Sequence, residues 1–204
     1  MGYEAINIHS FDAYKLQENE YRRALGKVQY SRYFSSLNEY TERPTAFISH
    51  KHSDLEKPHL LSFLAYLKKV YNVDPYIDSF DKTLPRETSG ETAIRIKEKI
   101  DNCNKFILFA TNDAIDSKWC NWELGIGDIQ KMKSDCLVII PIEKISGEFT
   151  GSEYLEIYPY VVNRNAYTPY KLKDNVSSSD EFYVKKPNEY YLEPFGEWLK
   201  KKVR

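Results

Sequence analysis

Two hydrophobic periods alternate along this chain of 204 residues. Short, nearly unbroken apolar runs read as buried strands, and runs with apolar positions three and four apart read as helices. The strand candidates are T-A-F-I-S (45–49), V-D-P-Y-I (73–77), F-I-L-F-A (106–110), L-V-I-I-P-I (137–142) and, more weakly, E-I-Y-P-Y-V-V (156–162). Pro75 makes the second of these an edge strand or shortens it, because proline cannot donate to a ladder. Between them, Leu60, Leu64, Leu67 and Tyr71 predict a helix from about Glu56 to Tyr71, with Ser53 or Asp54 as cap and Pro58 in the first turn. Ala93, Ile96, Ile100 and Cys103 predict a second helix, started by the capping-box spacing of Thr88 and Glu91. In a third, after the central run, Trp119, Trp122, Ile126 and Ile129 form one stripe with Glu123 at its margin. Pro194 opens a last helix with Phe195, Trp198, Leu199 and Val203 toward the core. Upstream, Leu16, Tyr21, Leu25, Val28 and Tyr33 recur at helical intervals over residues 10–41, with Gly26 as a divider. The order β-α-β-α-β-α-β predicts an α/β domain built on an open parallel sheet with helices on both faces.

Composition narrows the class. A 42% hydrophobic and 15% aromatic content supplies a core for one domain. The net charge of −1 offers no argument for nucleic acid or an anionic membrane. No run of 18 apolar residues occurs, the N-terminus lacks the charged and apolar regions of a signal peptide, and a soluble, cytoplasmic protein is expected. Cys103, Cys120 and Cys136 are far apart and odd in number, which fits a reducing compartment better than a disulfide framework. With no C-x-x-C and no H-E-x-x-H, no metal site is expected.

In an open parallel sheet, ligands bind beyond the carboxyl ends of the strands. Those ends are Ser49 to His52, Asp78 to Ser89 and Thr111 to Ser117, and the helix carrying Glu123 starts just after the third. A partly desolvated carboxylate beside an indole serves as an acid, a base or a sugar-binding group, and is equally an ordinary boundary residue. Trp119 reads as a stacking platform or as core; Cys120 reads as a nucleophile or as a small helical filler. No G-x-G-x-x-G, P-loop lysine or G-x-S-x-G is present, which excludes the common dinucleotide, nucleoside-triphosphatase and serine-hydrolase signatures. The strand-end loop S-H-K-H-S-D, with Lys82 and Arg86 in the long loop, suits a phosphorylated, sugar-bearing, ring-containing ligand.

These residues carry a family resemblance. T-A-F-I-S-H-K-H-S-D resembles the first box of Toll/interleukin-1 receptor (TIR) domains, and Y-I-D with the polar loop after it looks like their second strand and BB loop. K-F-I-L-F-A-T and S-K-W-C-N-W-E-L-G are similar to the third strand and catalytic helix of NAD-cleaving TIR domains; F-G-E-W-L loosely resembles the last box. The likeness spans residues 44–204 in order and is closest to stand-alone bacterial TIR proteins of antiviral defence. It implies a flavodoxin-like sheet of about five strands in a TIR-like domain over 44–204; residues 1–43, which it does not cover, are read from their helical periodicity as an N-terminal helical extension.

The resemblance further implies an NAD⁺ nucleosidase or ADP-ribosyl cyclase that cleaves the nicotinamide–ribose bond, with NAD⁺ as substrate and no cofactor. Glu123 takes the position of the catalytic glutamate and Trp119 that of the aromatic four residues before it. Ser49, His50, Lys51 and His52 fall where the family lines its nucleotide site, with Asp78 at the second strand end and Phe80 and Lys82 in the mobile loop. Expected partners are further copies of the chain, joined through TIR–TIR contacts on activation, and a downstream effector sensing the nucleotide product. Pro85 is followed by Arg86 where receptor TIR domains have Pro-Gly, so receptor-adaptor docking is not expected. A non-catalytic TIR scaffold and a nucleoside or nucleotide N-glycosidase are the alternatives.

Overall fold

Each apolar run becomes a strand, and the helices fall between them as their periodicity predicts. The computed structural model describes residues 5–15, 20, 43–56, 58–81, 89–143, 149–163, 171–172 and 181–201. In chain order the main elements are β1 (Ile6–Asn7), β2 (Thr45–Ser49), α1 (Pro58–Tyr71), β3 (Asp74–Tyr76), α2 (Gly90–Asn102) and β4 (Lys105–Ala110). The single turn α3 (Asn112–Ile115), then α4 (Lys118–Lys131), β5 (Leu137–Glu143), β6 (Tyr160–Asn163) and β7 (Lys171–Leu172) follow. The described chain closes with β8 (Phe182–Lys185), β9 (Tyr191–Pro194) and α5 (Phe195–Lys200).

The strands join one sheet in the order β3-β2-β4-β5-β6-β8-β9-β7, with β1 pairing β5. The five strands β3 to β6 along this path are mutually parallel, which is the doubly wound core expected. Pro75 lies in the edge strand β3, where its missing N–H is tolerated. The sheet is larger than the sequence pattern predicts. β8 adds antiparallel to β6, β9 antiparallel to β8, and β7 parallel to β9, so the 182–194 region extends the sheet. The weak candidate at 156–162 contributes only its second half. Glu153–Ile157 forms a 3-10 turn capped by Tyr158, and Leu155 and Tyr158, three apart, are both buried.

Alternation along the central strand separates two cores. Phe106 and Leu108 face Ile96 and Ile100 of α2 and Cys120 and Leu124 of α4. Ile107 and Phe109 face Leu60, Phe63 and Leu64 of α1 and Trp198 of α5. The second core includes the N-terminal segment. Residues 8–14, expected within a longer helical extension, instead form a 3-10 helix directly after β1. Phe11 from this turn packs against Phe63, Tyr66 and Phe182 at centroid distances of 5.1–5.3 Å. Glu20 apart, residues 16–42, on which the rest of that helical reading falls, lie outside the described residues, as does Val203.

Local start signals shift by a residue or two. The cap of α2 is Ser89, whose hydroxyl accepts from the Thr92 N–H while Thr92 reaches back to Ser89; the expected pair was Thr88 and Glu91. α1 starts at Pro58, after a 3-10 turn over His52–Glu56. Asp54 is buried in that turn and accepts a 2.9 Å bond from the Thr111 hydroxyl, so it ties β2's loop to the end of β4.

The largest departure concerns α4. The stripe of Trp119, Trp122, Ile126 and Ile129 is not the buried face: Ile129 is 82% exposed and Trp122 37%. The face turned to the sheet is Cys120, Glu123, Leu124, Gly127 and Lys131, spaced i, i+3, i+4, i+7, i+11. Close approach decides this choice. A Cβ on Gly127 would lie 2.9 Å from the Phe106 ring, so only glycine lets the helix axis come this near β4. Lys131 is accommodated by donating to the Asp101 carbonyl at 2.7 Å.

Phe106 stacks on Phe47 with an interplanar angle of 10° and has no room to retreat. Gly127→Ala is therefore expected to destabilise by about 1–3 kcal/mol, overpacking outweighing the helix-propensity gain. Gly125→Ala, whose added methyl meets nothing within 4 Å, is expected to gain up to about 1 kcal/mol. Urea midpoints of the two variants check this pair; equal stabilities would show that the Phe106 contact does not set the helix position.

Candidate functional site

The strand order reverses between β2 and β4: the chain leaves β2 for the edge strand β3 and returns on its other side as β4. Such a reversal opens a crevice beyond the carboxyl ends of the two strands. Ser49 ends β2, and Thr111 follows β4 and caps α3 by accepting from the Ala114 N–H. Three residues on, Ser117 caps α4 by accepting from the Cys120 N–H. These caps aim the first turns of α4 along the crevice and bring Glu123 to Ser49.

Glu123 is 2% exposed. The Ser49 hydroxyl donates to its Oε2 at 2.6 Å, and the Trp119 side chain also hydrogen-bonds it. Two effects oppose each other here. Taking a carboxylate out of water costs several kcal/mol even after relaxation, and the nearby Asp78 carboxylate repels a second negative charge. Hydrogen bonds to a carboxylate each return roughly 1.5–3 kcal/mol. Desolvation wins, and the Glu123 pKa rises from 4.5 to about 8.

His50 is buried beside this pair. Its Nδ1 lies 3.1 Å from the Ile48 carbonyl, and its Nε2 lies 3.3 Å from Ser79 Oγ and 4.0 Å from Asp78 Oδ1. Ser79 Oγ also approaches His52 Nδ1 at 3.2 Å and donates to Asp78 Oδ1 at 3.3 Å. One hydroxyl thus links the β2 loop to the turn after β3. Lys51 is near enough to act electrostatically on Cys120. Burial pushes the Cys120 thiol up to about 11, so it is no thiolate near neutral pH and serves as the small filler of α4's buried face.

Of the residues expected to form a site, Ser49, Glu123 and Trp119 meet directly. His50, His52 and Asp78 form an adjoining polar group centred on Ser79. Phe80 stands apart: it is buried in the core on the α1 side of the sheet. Lys82, Arg86 and most of the long loop lie outside the described residues. Sequence reading passed over Ser79 and the Asp54–Thr111 bond. The usable signal was position, since each lies at or just past a strand's carboxyl end. Trp119 and Trp122 pair with ring centroids 4.8 Å apart, Trp119 half-buried and Trp122 on the outer side.

No protein-family model matches the chain. Among curated proteins it is 30% identical, over 158 residues, to one from Bacillus cereus (strain MSX-D12) described as a probable 3' cyclic ADP-D-ribose synthase, ThsB'. The alignment covers 75% of this chain and 74% of that relative.

Glu123 also links pH to stability. Its folded pKa lies above the unfolded value, so the native state holds a proton that the unfolded state releases. Stability contributed by this site is intact below about 4.5 and is lost progressively as pH rises toward about 8. Glu123→Gln keeps an acceptor for Ser49 and removes the ionisation. It is expected to raise Tm at pH 8–9 and to leave it nearly unchanged at pH 5. A pH-independent difference in thermal melts would contradict the buried, protonated carboxyl.

Proposed function

This chain belongs to the TIR-domain family, and on that footing we propose that it cleaves the nicotinamide–ribose bond of NAD⁺ to yield a cyclic ADP-ribose-type signal, with Glu123 as its catalytic residue. The relative's description as a cyclic ADP-ribose synthase supports the reaction. The observation that carries the site is the buried Glu123 carboxyl, bonded to Ser49 at the strand-order reversal.

The chemistry follows from that environment. As the C1′–N bond breaks, its electron pair goes to the pyridinium nitrogen and neutral nicotinamide leaves, so the departing group needs no proton. Positive charge grows on the ribose, and a carboxylate in a water-poor site stabilises it. The cationic nicotinamide of an arriving NAD⁺ favours the ionised form of Glu123. An oxygen nucleophile then adds to C1′ and gives up its proton, for which a carboxylate of raised pKa is a better acceptor than an ordinary one. Water as nucleophile gives ADP-ribose; a hydroxyl of the same molecule closes the ring. Ser49, Trp119, His50, Lys51, His52 and Asp78 surround the nucleotide in this reading.

Near-complete burial of Glu123 in the single chain supports activation by opening of the crevice, driven by assembly of several copies. The exposed Trp122 and Ile129 on α4's outer face provide apolar surface for such contacts. A downstream effector reads the product, in a cytoplasmic response to phage. Three buried free cysteines suit that reducing compartment. No helix among the described residues is long and apolar enough to cross a membrane.

Mass spectrometry of NAD⁺ incubated with the assembled protein is expected to show nicotinamide and a cyclic ADP-ribose. Glu123→Ala is expected to lower kcat by about 10²-fold or more. Undiminished nicotinamide release in that variant would remove Glu123 from the mechanism, and deoxynucleoside cleavage without NAD⁺ turnover would favour an N-glycosidase. Because the carboxylate is the active form, kcat/KM should fall as pH drops below about 8. Asp78→Asn, which removes the repelling charge, should move that profile to lower pH; an unmoved profile excludes Asp78 as a cause.

A further inference from the structure

Away from the crevice, on the α1 side of the sheet, three side chains converge without a role in the reaction above. His9 and Asp12 come from the 3-10 helix after β1, and His59 from the first turn of α1. Their candidate donor atoms all lie within 4.8 Å of one another. His9 Nδ1 is 2.8 Å from Asp12 Oδ2, and His59 Nδ1 is 3.6 Å from Asp12 Oδ1. The two imidazoles stand nearly perpendicular at 86°, with centroids 5.2 Å apart. We propose that His9, Asp12 and His59 form a binding site for a divalent transition-metal ion of the zinc type, which clamps the N-terminal segment onto α1.

Unmet bonding capacity points to a cation. Asp12 Oδ1 and His59 Nδ1 are both shielded from solvent and neither has a hydrogen-bond partner among the described residues. A separation of 3.6 Å is too long for a hydrogen bond between them. It suits two ligands of one ion: donors at about 2.1 Å from a tetrahedral zinc lie roughly 3.4 Å apart.

The donor set selects the metal. Two imidazoles and one carboxylate suit zinc, cobalt or nickel rather than magnesium or calcium, which prefer oxygen shells. His59 is largely covered, its side chain 14% exposed, whereas those of His9 and Asp12 are 48% and 40% exposed, so an ion enters from solvent and keeps a water in its fourth position. Without a metal, the His9–Asp12 pair is a surface contact worth about 0–1 kcal/mol. With one, Ile8 and Phe11 are held in the core they share with Phe63 and Tyr66.

The test uses the untagged full chain freed of metal by chelation, then titrated with Zn²⁺ or Co²⁺. Calorimetry should show one equivalent bound, with a rise in Tm that Mg²⁺ does not reproduce. Co²⁺ should give ligand-field bands of a nitrogen–oxygen site and no thiolate charge-transfer band. Outer-shell changes alone weaken metal sites by about 10–100-fold, so His9→Gln and His59→Gln should each weaken binding at least that much. Circular dichroism of both variants confirms that they are folded; should one fail to fold, the other variant and the Co²⁺ spectrum decide. No binding, equal stabilisation by Mg²⁺, a thiolate band, or full affinity in both folded variants would overturn the assignment.

Discussion

The site depends on how closely α4 approaches β4. Gly127 against Phe106 sets that distance, and the remaining contacts follow from it. With the helix this near the sheet, Glu123 on the same face as Gly127 cannot reach water and comes to lie against the end of β2. There the Ser49 hydroxyl is its partner. A larger residue at 127 would lift the helix and let the carboxyl hydrate as an ordinary surface glutamate.

Burial gives the carboxyl its chemical character. Desolvation and Asp78 raise its pKa against the bonds from Ser49 and Trp119. The result is a carboxyl held toward its neutral form below about pH 8, which in the function proposed above ionises when the positive charge of the substrate arrives. The rest of the crevice is linked by polar contacts: His50, Ser79 and His52 in one chain, Asp54 and Thr111 in another. Fold stability and site chemistry therefore oppose each other at Glu123, and the two large cores on either side of the sheet absorb the cost.

Elements were legible where a single physical signal dominated. Continuous apolar runs such as F-I-L-F-A mark central strands because both faces are covered, and β4 is buried along its whole length. Pro75 correctly placed β3 at the edge. The resemblance to TIR domains rested on such segments, and the relative with 30% identity belongs with it. Signals failed where two segments had to meet. β8 and β9 are four residues each and gain their strand character from pairing with β6 and with each other. The N-terminal 3-10 turn takes its place from Phe11 docking onto α1, a contact that no local period encodes.

By itself, the order of apolar and polar positions determined an α/β chain with a parallel centre, and placed Glu123, Ser49 and the β2 loop near one rim. Strand alternation and the rule for carboxyl-end crevices are local or topological, and so are readable from one dimension. Which face of α4 meets the sheet was decided only in three dimensions. Tryptophan and isoleucine carry more hydrophobic weight than glycine and cysteine, so periodicity favoured the outer stripe. Packing instead rewards the face whose small side chains allow contact, and that choice made Glu123 the buried centre of the helix face rather than its margin. The meeting of His9 and Asp12 with His59 has the same origin: residues far apart in the chain, brought together because buried Phe11 anchors the 8–14 turn onto Phe63 beside His59.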